Sequence, residues 1–156
     1  MKTLVSGLAA IVLFAGSIAG QASNNTEDKR KAILEYPLSM AKANQLIPAL
    51  EAMTKYVVSL PDFAERMRKS SQMTMAEQIA QIEKDPKAAE IVKKNQLTAK
   101  DYVVGVPALR MALLAAGGTP QGPTVIVSPT NLAFAKANYS TLKPKMDAAD
   151  GIGARR

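Results

Sequence analysis

Five short stretches constrain the fold of this chain more than any other feature: Ser39-Met40-Ala41-Lys42, Thr74-Met75-Ala76-Glu77, Asp85-Pro86, Thr98-Ala99-Lys100-Asp101 and Ser128-Pro129. Each places an oxygen-bearing side chain where it can accept a hydrogen bond from one of the unpaired amides that open a helix. Glu77 and Asp101 stand three residues after a threonine and complete capping boxes, while Pro86 and Pro129 occupy the first helical position, where a missing N–H costs nothing. Apolar residues follow each start at helical spacing, so the chain is expected to be all-α.

The longest such pattern runs from Met40 to Leu60, with Ala43, Leu46, Ile47, Leu50, Met53, Val57 and Leu60 on one face. Pro48 falls on the opposite face with Asn44, Glu51 and Lys55, where it kinks the helix without burying a broken hydrogen bond. Pro61-Asp62 ends this helix and begins a short charged one bearing Phe63 and Met67. Two further helices carry Ile79 and Ile82, then Ala89, Ile91 and Val92. Between Thr98 and the Gly117-Gly118 stop, the apolar residues Tyr102, Val103, Val104, Val106, Leu109, Met111, Leu113 and Leu114 surround the helix, which marks it as the centre of the core. Residues 119–129 read as an extended loop packed on the body, and the last helix presents Leu132, Ala135, Tyr139 and Leu142 before Pro144 kinks or ends it. The expectation is an irregular bundle of about five or six helices with a kinked central apolar helix and one extended loop, occupying residues 36–146.

The ends of the chain differ from this body. A positive Lys2, an apolar run from Leu4 to Ala19 and the small-residue stretch Ala19-Gly20-Gln21-Ala22-Ser23 follow the secretory pattern, with cleavage expected after Ala22. Residues 1–22 are therefore expected to be a signal peptide, 23–35 a flexible polar lead-in and 147–156 a disordered tail. The composition narrows function further. The 156 residues include no His, Cys or Trp, and they carry 20 Lys and Arg against 13 Asp and Glu, a formal charge of +7. Imidazole bases and ligands, thiol nucleophiles, disulfides and cysteine-held metals are excluded.

Leu97-Thr98-Ala99-Lys100-Asp101-Tyr102 opening an apolar helix with Leu109-Arg110-Met111-Ala112, followed by Ser128-Pro129-Thr130-Asn131-Leu132-Ala133-Phe134 and combined with a signal peptide, resembles a group of small exported helical proteins of Gram-negative bacteria. The resemblance spans about residues 36–146 and rests on helix starts. It implies a helical fold and a periplasmic or secreted location, and it brings no catalytic residues, since that group has no assigned activity. Many such chains have a His after the N-x-x-F element, where this one has Asn138 and Tyr139.

Candidate chemistry is sparse. Ser39-x-x-Lys42 has the spacing of a lysine-activated serine, but a helix cap beside a surface lysine explains it as well. Met67, Met73 and Met75 offer soft thioethers suited to Cu(I), against a role in packing. Asp147 and Asp150 beside Gly151 resemble a fragment of a calcium loop without its other ligands. The cations of residues 62–101 are interleaved with acids and lack alternating aromatics, which reads as a solvated helical surface and argues against nucleic acid. Weak attraction to an anionic membrane surface remains in view. The least ordinary feature is Gly105-Val106-Pro107 inside the central helix: a proline there frees the carbonyl of Val103 and costs about 3 kcal/mol unless the surroundings compensate. Pro107 shares a strip with Lys100 and Arg110, which makes these three the candidate partner-facing residues, with no catalytic, cofactor or metal ligand set expected. The reading is a non-enzymatic periplasmic binding or stress-response module for a protein, peptide or small anionic or apolar ligand. The alternative is a small periplasmic hydrolase lacking His and Cys.

Overall fold

All five expected helix caps are formed. In the computed structural model, which describes residues 22–122 and 125–151, Ser39 Oγ accepts from the Lys42 amide at 3.2 Å and Ser128 Oγ from the Asn131 amide at 3.2 Å. Thr74 and Glu77 bond reciprocally, as do Thr98 and Asp101, and Asp85 Oδ1 accepts from the amides of Lys87 and Ala88.

These caps delimit an all-α fold, with seven helices and no strand among the described residues: α1 (Ala22–Glu35), α2 (Met40–Val58), α3 (Phe63–Gln72), α4 (Met75–Lys84), α5 (Pro86–Lys94), α6 (Ala99–Ala116) and α7 (Pro129–Ala149). As expected, α6 is central: it packs against α1, α2, α4, α5 and α7, and its buried residues lie all round its axis. Leu46, Leu109, Leu113 and Leu142 from α2, α6 and α7 are fully buried where these helices meet. Gly105 lets α6 approach this centre closely, because a Cβ there would lie 2.8 Å from the Tyr36 ring and 2.9 Å from Leu46 Cδ2. The outer face of α2 is also as expected, with Pro48, Asn44, Glu51 and Lys55 all exposed.

Four expectations at the level of elements are corrected. The segment 23–35, read as a flexible lead-in, is helical as part of α1. Its sequence lacks an amphipathic period, and it is held by contacts that include Ile33 in the core, Ala32 packed against it, and Lys29, whose Nζ donates to Gln78 Oε1 of α4 at 2.8 Å. Counting α1, the helices exceed the five or six expected. Pro144 does not end the last helix, which continues to Ala149 with Met146 and Ala149 buried, so residues 147–149 are helix and not tail. On α5 the buried alanine is Ala88, one residue before the expected Ala89.

The described residues between α6 and α7 are neither helix nor strand, with Val125 and Val127 buried and the Gly122 amide donating to the Val125 carbonyl at 3.0 Å. Of the expected signal segment 1–22, residues 1–21 lie outside the described residues, as does the tail after Gly151, while Ala22 is the first residue of α1. Among the described residues, no helix is long and apolar enough to cross a membrane.

Candidate functional site

The three residues expected to face a partner are not equivalent in the structure. Lys100 is exposed and has no partner among the described residues, and Pro107 is half-buried. Arg110 is committed elsewhere: its guanidinium donates to Asp150 Oδ1 at 2.5 Å, a favourable placement of a cation at the C-terminus of α7. The strip thus offers one uncommitted charge.

The other motifs meet similar ends. Ser39 Oγ is occupied as a cap, and Lys42 Nζ lies 3.3 Å from Asp101 Oδ1. Asp101 is the meeting point of that region, since Tyr36 OH donates to its Oδ1 at 3.1 Å while the Thr98 hydroxyl and amide donate to its Oδ2. Burial pushes the Asp101 carboxyl up, but the hydrogen bonds from Thr98, Lys42 and Tyr36 outweigh it and hold it below the ordinary value. Burial, with the neighbouring Asp101 charge, pushes the Tyr36 phenol well above its ordinary value. These groups join the α1–α2 connection to the start of α6 and leave no hydroxyl facing a free base. Asp147 pairs with Lys143 and Asp150 with Arg110, so the calcium-loop fragment is engaged in ion pairs. Met67 and Met73 are half-buried at α3 and its end, and Met75 is half-buried at the start of α4; no three acidic residues gather as a metal site among the described residues.

The feature that sequence reasoning missed lies between α2 and α5. Here Tyr56, in the last turns of α2, donates from its hydroxyl to Asp85 Oδ2 at 2.8 Å, and Asp85 caps α5 through its other oxygen. One carboxylate therefore fixes the end of α2 against the start of α5. The Tyr56 bond and the two backbone bonds offset the cost of burying Asp85 and hold its carboxyl below the ordinary value. The same bond raises the Tyr56 phenol. Ser59 and the following Pro61 stop α2 shortly beyond Tyr56, and the Ser59 hydroxyl donates back to the Tyr56 carbonyl at 2.6 Å.

Between the two helices runs an open groove of about 490 Å³. Its floor is Ala52, the Tyr56 ring and Ile91; its rim carries Lys55, Lys87 and Lys94 with Glu90 as the one acid. Glu90 accepts from Lys87 at 3.0 Å and from Lys94 at 2.7 Å, and these bonds, Lys94 first, hold its carboxyl down at about 2. Lys55 pairs with Glu51 at 2.6 Å. The spacing of Lys87, Glu90 and Lys94 is visible in the sequence as one helix face. Which helix lies beside that face is not, so it read as solvated surface.

The fold and groove define a class: an all-α domain with, among its described residues, a surface groove lined by apolar side chains and lysines. No protein-family model matches the chain, and no curated protein or solved structure is significantly similar to it.

Proposed function

We propose that the chain is a non-enzymatic binding or stress-response module exported to the periplasm, and that the α2–α5 groove receives its ligand. The observation that carries this reading is the groove itself: half-buried Ala52 and Tyr56, backed by the core residue Ile91, and bordered by Lys55, Lys87 and Lys94. Such a combination favours a ligand with both apolar surface and negative charge. The Ser39, Lys42 and Asp101 group supports the hydrolase alternative less well, because each of its polar atoms already serves a cap or a tertiary link. The irregularity of the bundle belongs to the same reading: a kink in α6 at Pro107, with the bundle packed around its bent shape, would set the angle at which α6 supports α2 and α5.

Intact-mass measurement on protein from the periplasmic fraction tests export and is expected to find a chain beginning at Ser23. Native mass spectrometry of that sample is expected to find a low-mass adduct that a Tyr56→Ala variant loses. A chain retaining Met1 in the membrane fraction overturns export. Turnover of ester or amide substrates that Lys42→Gln abolishes overturns the non-enzymatic reading in favour of the hydrolase.

A further inference from the structure

The polar groups around the α2–α5 groove fall into two kinds. Ser59 Oγ and Tyr56 OH spend their protons inside the protein, on the Tyr56 carbonyl and on Asp85, and Asn95 Nδ2 directs one of its two N–H groups to the Ile91 carbonyl. The lysines are different, since each ammonium has three N–H donors and Lys87 and Lys94 both direct one to the same Glu90 carboxylate. An occupant therefore meets a floor suited to carbon and a rim suited to negative charge.

Glu90 shows which anion the rim accommodates. Its carboxylate bridges two lysines one turn of α5 to either side and is 43% exposed, so it stands at the groove's edge where a ligand's head group would arrive. Two charge-assisted bonds to one carboxylate are the pattern by which lysines hold such a group. Lys55, on the opposite wall, adds a third cation facing the same opening.

On the reading of this groove as the ligand surface, we propose that it binds an amphipathic carboxylate, a medium-chain aliphatic acid. The ligand's apolar body lies on Ala52, Tyr56 and Ile91, and its carboxylate takes the place that Glu90 occupies on Lys87 and Lys94. Glu90 is then a built-in competitor. Its displacement limits affinity and confers selectivity against neutral molecules, which gain the floor but cannot replace the ion pairs. Because the groove is open, part of the ligand stays solvated and binding is in the micromolar to millimolar range.

Amide NMR titration of the purified protein with octanoate and, separately, with octanol tests the assignment. Octanoate is expected to shift the resonances of Ala52, Tyr56 and Ile91 and to bind roughly tenfold more tightly than octanol. Glu90→Gln keeps the side chain's length and removes the competing charge, so it is expected to tighten octanoate roughly threefold to tenfold and leave octanol unchanged. The Lys87→Gln/Lys94→Gln double variant is expected to reduce octanoate to the octanol level. These side chains are largely exposed, and circular dichroism checks that each variant retains the helical fold. Equal binding of the two probes, or no tightening in Glu90→Gln, overturns the carboxylate assignment while leaving the groove as a binding surface. Failure of both probes to perturb the groove overturns the assignment and the groove reading together.

Discussion

Asn131 is 3% exposed, yet both ends of its amide are bonded: Oδ1 accepts from the Leu38 amide at 3.1 Å and Nδ2 donates to the Tyr36 carbonyl at 2.8 Å. It ties the first turn of α7 to the α1–α2 connection, two segments more than ninety residues apart. Replacing it with leucine leaves a buried N–H and a buried C=O without partners, at about 1–3 kcal/mol each. Asn131→Leu is therefore expected to lower unfolding free energy by about 2–4 kcal/mol in urea titration. A change below about 1 kcal/mol would show that these backbone groups find water instead. Gln96 presents the opposite case. It adopts φ 57° after α5, while the Leu97 amide bonds the Val92 carbonyl and the Gln96 amide bonds that of Lys93. This is a helix stop built around a left-handed residue, which glycine adopts without steric cost. Gln96→Gly is expected to raise stability by up to about 1 kcal/mol, and a loss would mean that the Gln side chain supports the turn. Neither residue signalled its role in the sequence. Asn131 lay in a recognised helix start, but only its partner segment explains the amide.

At the scale of elements, the helix starts were legible because cap chemistry is confined to four consecutive residues, and Thr98 shows this best. Its hydroxyl accepts from the Asp101 amide at 2.9 Å, so Thr98→Ala is expected to cost about 1 kcal/mol in the same titration. Helix α1 was illegible because a charge faces inward: Lys29 is 5% exposed, where burial pushes its ammonium down from the ordinary value. A buried lysine breaks the pattern by which an inward face is read. Gly105 was noticed only as part of a proline-containing break, whereas its contacts give it a packing role. Gly105→Ala sets overpacking of about 1–3 kcal/mol against about 1 kcal/mol of gained helix propensity. The Tyr36 ring cannot retreat easily while its hydroxyl bonds Asp101, so net destabilisation is expected. A stabilised variant would show that Tyr36 moves freely. The α2–α5 groove was out of reach of periodicity altogether, since a charge pattern on one helix does not say which neighbour borders it.

Among the groups that join the molecule across long sequence separations are two carboxylates anchored at helix starts. Asp101 links α6 to Tyr36 and Lys42, and Asp85 links α5 to Tyr56 in α2. In both, hydrogen bonds overcome the opposing effect of burial and hold the carboxyl below its ordinary value. Below that value the unfolded chain takes up protons before the folded one does, so stability rises with pH across this interval. The contribution is complete above the unfolded value, near about 4, and is lost as pH falls through the depressed folded values. Glu90, held at about 2 by Lys94 and Lys87, adds to the same trend. Urea titrations at a series of pH values are expected to show stability declining steadily from about pH 5 toward pH 2. Asp101→Asn keeps an oxygen that can accept from Thr98 but cannot titrate. This variant should be less stable than the parent at pH 7 and lose less on acidification, so that the two curves converge at low pH. Parallel curves at every pH would show that the Asp101 charge contributes nothing to stability in solution, and that the start of α6 is held by the Thr98 cap and its apolar contacts.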